Sequence, residues 1–579
     1  VLEYLDEAKR ENPELDIRIL GNPYQEYMDP KMLEEEIPTV MSLMFLMIFL
    51  SIFFVLRSLA AVFSTFGVIL LTIGATFGSV GLLGNVLNQM VITYPVLIIT
   101  LALADCVHLF AIYFQERNKG ETSKESMIKS LELNLQPLFL TTVTTCIGFL
   151  SFNALDVEPL RDLGNGISLG VLFAFIYTIF FIAPLISFLE IKIPTSTQQQ
   201  VNLSRKLAIF SLSRGKTFLW TIPLICFLLI LLIPLNKLEM NPTQMYSEKY
   251  TSFGPDVLWL DKKLGASFPI SFKATSENGS VSNPRFLEGL DNFSIWLEKQ
   301  KEVTHVTSLA RTMKSLNKSM HGDDLKMKVI PEDQELSSQY LFFYEMSLPM
   351  GLDLNTSISQ DRGSTRIAAT LREMTSKEYL MFDEKVTKYL RENNLESTIS
   401  KPAGFRVIFV YLMEAIVNSL LVGVTIGLAL IITVIGFFFR SASFGFLSSF
   451  PNILPIVSAF GIWAIIDGQI DFMVAVGMGS TLGIIVDFTV HLLSKYDLAR
   501  QELKKSPEDA VLFAFEAVGF ALIAMTIILA LGFSVLHLVS FLPMHNFAQF
   551  SILAFVFALI IDFFLFPNLL VRFDKRKFD

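Results

Sequence analysis

The chain has 579 residues, 52% of them hydrophobic and only 17% charged, with 53 phenylalanines, so it is far more apolar than an average soluble protein. Its net charge of -9 offers no basic field, and its longest basic cluster is Lys575, Arg576, Lys577, which argues against nucleic acid as a partner. The three cysteines, Cys106, Cys146 and Cys226, all lie in apolar stretches, so no disulfide framework is expected; a large polar region without disulfides suits a bacterial envelope.

In chain order, Val1 to Pro38 is charged, shows no signal peptide and opens without methionine, which reads as a chain cut at its start. Five apolar stretches of spanning length follow, near 39–57, 60–83, 91–114, 136–154 and 167–189. A sixth lies at 217–235, after an amphipathic segment at 200–214 whose Leu203, Leu207, Ile209 and Phe210 are expected to rest along the inner membrane surface. Residues 236–409 are polar, with strand-like runs at 269–274, 303–309 and 365–371 and helical segments at 284–300 and 376–392; this β-α-β rhythm predicts two small α+β sandwiches. Five more spans close the chain near 411–439, 443–466, 472–496, 510–535 and 548–571.

Lysine and arginine are retained on the cytoplasmic side of short loops. Arg57, the stretch from Arg117 to Lys129, Arg205 to Lys216, Arg440, Arg500 to Lys505 and the C-terminal tail fall on one side. The opposite short loops, near 84–90, 155–166 and 536–547, carry only Arg161. The polar region is therefore expected outside and the C-terminus inside.

An internal repeat runs through the chain. A single offset of 383 residues carries Gly21 onto Gly404, Arg57-Ser58 onto Arg440-Ser441, His108-Leu109 onto His491-Leu492, Tyr113 onto Tyr496, Arg117 onto Arg500 and Pro184 onto Pro567. Both copies run in the same direction, so the expected fold class is a polytopic α-helical membrane protein of duplicated six-helix bundles with an α+β domain outside. The implied domains are a remnant of a first outside domain at 1–37, five helices at 38–190 and a cytoplasmic linker at 191–216. A further helix at 217–235, a second outside domain at 236–409 and five helices at 410–573 complete the set.

The candidate chemistry lies in the third and ninth spans. Asp105 sits roughly 12 residues from the inner end of its helix, about 18 Å at 1.5 Å per residue, near mid-membrane, and Asp487 lies at a matching depth. Ionisable groups at that depth usually face a bundle interior and mark an ion or proton path. His108 follows Asp105 by three residues and His491 follows Asp487 by four, so each histidine shares its aspartate's face and each pair is expected to form one proton relay. Gly477, Gly479 and Gly483 would let helices approach closely around Asp487, while Leu101 stands where the first half would need the glycine matching Gly483. Thr141, Thr142, Thr144, Thr145 and Thr526 are placed to support the relay from a neighbouring span, although a threonine more often bonds back to its own helix.

Other candidates read as structural. Asp562 has Ile179 at its matching position. Arg214, Gly215, Lys216 and Thr217 superficially resemble a phosphate loop, but Phe210 replaces the first glycine and the segment leads into a span, so ATP is not expected as the energy source. His305, His321, His537 and His545 show no metal-ligand spacing, and no metal or cofactor is expected.

These residues resemble the resistance-nodulation-division superfamily of transporters, especially its MmpL-like branch that exports lipids and hydrophobes. The run from Gly483 to Asp487 followed by His491-Leu492, Asp105 with His108-Leu109, and the repeat ending in Pro184 and Pro567 carry the likeness, which covers the whole chain. The glycine-x-x-x-aspartate run also resembles the sterol-sensing relatives of Patched and the Niemann-Pick protein. If each half were complete, the protein would have twelve helices and two outside domains; with the resemblance, the expected location is a bacterial inner membrane with those domains in the periplasm. The resemblance implies coupling of the proton gradient to export by aspartates of the fourth and tenth family helices, here Asp105 and Asp487. The implied partners are a lipid or amphiphilic substrate, membrane lipids, periplasmic carrier proteins and further copies of the chain. Two departures stand out: Ala104, not Asp105, holds the position matching Asp487, and the first-half glycine is missing. The polar region, about 170 residues, is short for the docking region of drug-efflux members. Lipid export therefore ranks above multidrug efflux, and above a lipid-sensing receptor or a protein-translocation accessory.

Overall fold

A computed structural model describes residues 2–19, 21–84, 93–154, 157–189, 191, 197–239, 245–246, 253–264, 268–349 and 353–576. All but the first residue of the expected outside loop at 84–90 lies beyond the described residues. The chain forms two compact units, one of Val1–Lys31 with Leu238–Glu414, the other of Met32–Lys237 with Ala415–Asp579.

Among the described residues eleven helices are long and apolar enough to cross a membrane: Glu26–Leu56, Leu59–Leu82, Thr93–Asn118, Ser123–Ala154, Glu158–Ser187, Gly215–Leu235, Phe405–Phe438, Ala442–Ile466, Phe472–Gln501, Pro507–Leu538 and Leu542–Phe573. They are called the first to eleventh spans. Several outrun their apolar stretches, because a helix ends where its backbone groups are capped and not where hydropathy falls. The fourth begins at Ser123, well before the apolar run, because Thr122 and Glu125 close a reciprocal capping box. The tenth begins at Pro507 behind Ser506, whose side chain accepts from the Asp509 amide. The ninth continues to Gln501, capped at its start by Asp471, which accepts the Val474 amide at 2.8 Å.

The third and ninth spans are enclosed by the others, and the sixth exposes most of its surface. The fourth span packs along the ninth, and the tenth packs against the third. Close approach of the fourth and ninth depends on glycine: a Cβ added at Gly479 would lie 2.4 Å from the Phe152 ring, and one at Gly483 would lie 3.2 Å from Phe149. The 383-residue offset reappears in the geometry. Helices start at Asn22 and Phe405 and at Leu59 and Ala442, and end at Asn118 and Gln501. The turn residues Arg57 and Arg440 share a left-handed φ of 47°. The amphipathic segment forms α1 (Thr197–Ser213), which lies against the bundle through the Ser211 hydroxyl, 2.7 Å from the Phe563 carbonyl.

The polar unit is built on a three-stranded antiparallel sheet of β1 (Phe268–Thr275), β2 (Val303–Thr307) and β3 (Ser364–Leu371), in the order β1-β3-β2. Helix α2 (Pro284–Glu298) connects β1 to β2, and α3 (Ser376–Glu392) follows β3. Asn283 caps α2 ahead of Pro284, and a Thr375–Glu378 capping box starts α3. Ile270, Phe272, Phe293, Ile367, Phe382 and Val386 form its core, with Trp296 stacked on Tyr389 at 4.2 Å. Among the described residues one such sheet is present rather than the two sandwiches expected, because β3 inserts between β1 and β2 and consumes both of their inner edges. The N-terminal segment joins this unit through Arg18, which pairs with Asp256 at 2.9 Å and lies over the Trp259 ring.

Candidate functional site

The capped start of the ninth span sets the helical phase that brings Asp487, His491 and Lys495, spaced four residues apart, onto one face. All three are buried: Asp487 is 4% exposed, His491 0% and Lys495 1%. His491 Nε2 stands 3.3 Å from Asp487 Oδ1, near enough for an ion pair, although neither atom meets hydrogen-bond geometry.

The first half does not repeat it. His108, fully buried in the third span, has neither ring nitrogen hydrogen-bonded among the described residues, so it makes no bond to Asp105. Its ring lies flat on that of His491, with centroids 3.5 Å apart and planes 5° from parallel. His108 and His491, 383 residues apart, thus form one stack, which with Asp487 makes a single cluster where two separate Asp-His pairs were expected. Asp105 is buried at 7% exposure and lies within electrostatic range of Asp487. Its shift by one residue from the strictly matching Ala104 turns it by about 100° around the helix, which explains the lost symmetry.

The ligating atoms of His108, Asp487 and His491 lie within 4.8 Å of one another, a donor set that zinc-type ions accept. Imidazole lone pairs lie in the ring plane, however, and nearly parallel planes 3.5 Å apart do not meet at one ion.

The supporting residues divide. Thr145 donates to the Gly483 carbonyl across the helix contact at 2.9 Å, binding the fourth span to the ninth one turn before Asp487. Thr144 and Thr526 bond back to the carbonyls of Leu140 and Leu522, at 2.9 and 3.0 Å. Gly483 acts through close packing. Asp562 accepts from Thr489 at 3.2 Å, and Thr489 also reaches Asn452, joining the eighth, ninth and eleventh spans. His537 and His545, distant in function by sequence, approach to 5.4 Å between ring centroids, each bonded to a backbone carbonyl.

Two residues that sequence reasoning missed complete the site. Lys495 donates to the Leu133 carbonyl and, at 3.2 Å, to Asn134 Oδ1 of the fourth span. Asn134 Nδ2 in turn donates to the His108 carbonyl at 3.2 Å. The signal for Lys495 was its spacing of four from His491, inside the apolar stretch at 472–496.

The fold and this site define a multi-pass helical membrane protein with ionisable groups enclosed in its bundle. The chain belongs to the MMPL family, whose model matches residues 3–220 and 286–577, and with it to the resistance-nodulation-division superfamily. It is also 29% identical over 154 residues to MJ1562 of Methanocaldococcus jannaschii, named as a membrane protein; the match takes in 26% of this chain and 39% of that relative.

Proposed function

We propose that the protein is a proton-driven exporter of lipid-like or amphiphilic substrates, built from two parallel repeats, with the polar unit on the periplasmic side of a bacterial inner membrane. Asp105, Asp487, His108 and His491 handle the proton. The observation that carries this reading is the His108–His491 stack beside Asp487, buried where helices of the two repeats meet.

Two imidazolium rings 3.5 Å apart in a medium of low dielectric repel strongly, so the stack accommodates one proton and resists a second. A proton on His491 pairs with ionised Asp487; a proton passed to the carboxylate cancels that pair. Each loading state thus changes the charge that the His491 ring presents to His108 across the stack, and export requires a bistable element of this kind. Asp105, buried in the third span, supplies a second carboxylate to the same bundle interior.

The test uses the protein in vesicles with an imposed pH gradient, a fluorescent phospholipid as probe and a pH-sensitive dye. The native protein is expected to move lipid and protons together, and D487N to lose both by at least tenfold while melting as the native does. Undiminished movement in D487N overturns the coupling role, and proton flux indifferent to added lipid points to a lipid-sensing receptor instead.

A further inference from the structure

A cavity of about 230 Å³ opens at the Lys119 end of the bundle, among Gln115 and Glu116 of the third span, Leu133 of the fourth, Gln198 of α1, Glu516 of the tenth and Lys495 of the ninth. We infer that Lys495 carries protons between this cavity and the stacked histidines. The inference rests on the proton-coupled reading above.

The titratable groups around the cavity are largely committed elsewhere. Glu116 pairs with Lys119 at 2.6 Å and with Lys129 at 3.7 Å, and Glu516 pairs with Arg205 at 3.4 Å. Lys495 alone among the lining residues also belongs to the helical face of His491 and Asp487, four residues or roughly 6 Å of helix rise from His491. Its charge reaches both histidines. The ammonium is held by the Leu133 carbonyl and Asn134 Oδ1, two acceptors for three N–H groups, which leaves one proton to give. Asn134 also holds the His108 carbonyl, so the amine and the stack share one bracket from the fourth span.

In the transfer, one N–H bond of the ammonium breaks as a bond forms between that proton and a ring nitrogen of His491. The neutral amine then takes a proton from a hydronium ion entering the cavity, leaving water. The flexible four-carbon stem supplies the movement. The matching position in the first half is Ile112, so only one repeat has such a carrier.

Arginine at this position keeps charge and donors but does not release a proton. In vesicles with a pH gradient, K495R is expected to lose at least tenfold in proton flux. K495A is expected to lose as much and to regain at least a third of native flux in millimolar methylammonium, which enters the cavity as a free amine. Native flux in either variant, or a loss in K495A that methylammonium leaves unchanged, overturns the inference. Melting curves identify a variant that has not folded, and the rescue arm then decides with the other. D487N run alongside separates the two proposals: if D487N conducts as the native does, the proton-coupled reading itself falls.

Discussion

At the scale of single residues, the proposed proton path treats the two stacked histidines as one unit. H108A and H491A are expected to reduce gradient-driven proton flux to a similar extent, and the double variant to lose little more, because groups acting together are not additive. A double variant that multiplies the two losses, measured with the same dye, would show two independent relays. The individual residues were mostly legible: Asp105, Asp487, His108 and His491 stood out as ionisable groups within apolar stretches. Their partnership was not, because contact between residues 383 apart depends on how two helices pack, and a helical wheel describes only one helix. Lys495 was missed for a related reason: it lies inside the stretch at 472–496, but its acceptors Leu133 and Asn134 belong to another helix.

At the scale of elements, the ninth span is governed by its cap and its glycines. Asp471 lies just outside the span, and burial raises its carboxyl to about 6, with the bonds from the Val474 amide and from Asn546 only partly opposing this. A carboxyl raised in the folded state contributes stability that is full below its ordinary value and is lost as pH rises through about 6. Lowering the pH from 7.5 to 4 should therefore stabilise the native protein by about 2 to 3 kcal/mol relative to D471N, read from paired melting curves; parallel curves would refute it. G479A, whose methyl would meet the Phe152 ring at 2.4 Å, should cost about 1 to 3 kcal/mol. G289A in α2, with open space around it, should be neutral or gain up to about 1 kcal/mol. Strands and helices of the polar unit were readable from alternation and caps. The strand order was not, because insertion of β3 between β1 and β2 is a long-range pairing that local periodicity does not encode.

At the scale of the whole molecule, the orientation proposed from the loop charges makes a direct prediction. With a membrane-impermeant thiol reagent, Lys124→Cys should label only in inverted vesicles and Glu332→Cys only in right-side-out ones; both residues are exposed. Labelling of both from one side would reject the proposed arrangement. The composition and the eleven apolar stretches made the membrane class plain from the start, and the 383-residue offset supplied the repeat landmarks. What stands out beside that offset is how differently its two ends are furnished. At the 383-residue offset, Asp487, His491 and Lys495 stand against Ala104, His108 and Ile112, with Asp105 one position out of step.

The stack also makes its own spectroscopic reporter. A proton held over the face of an aromatic ring resonates upfield of its usual position, and rings 3.5 Å apart place carbon-bound protons of His108 and His491 in each other's shielding cones. With only six histidines in the chain, selective isotope labelling would display two ring signals displaced together from the other four. A slide or rotation of one repeat against the other would move both at once, so the chemical shift of a single residue type reads the register of the two halves.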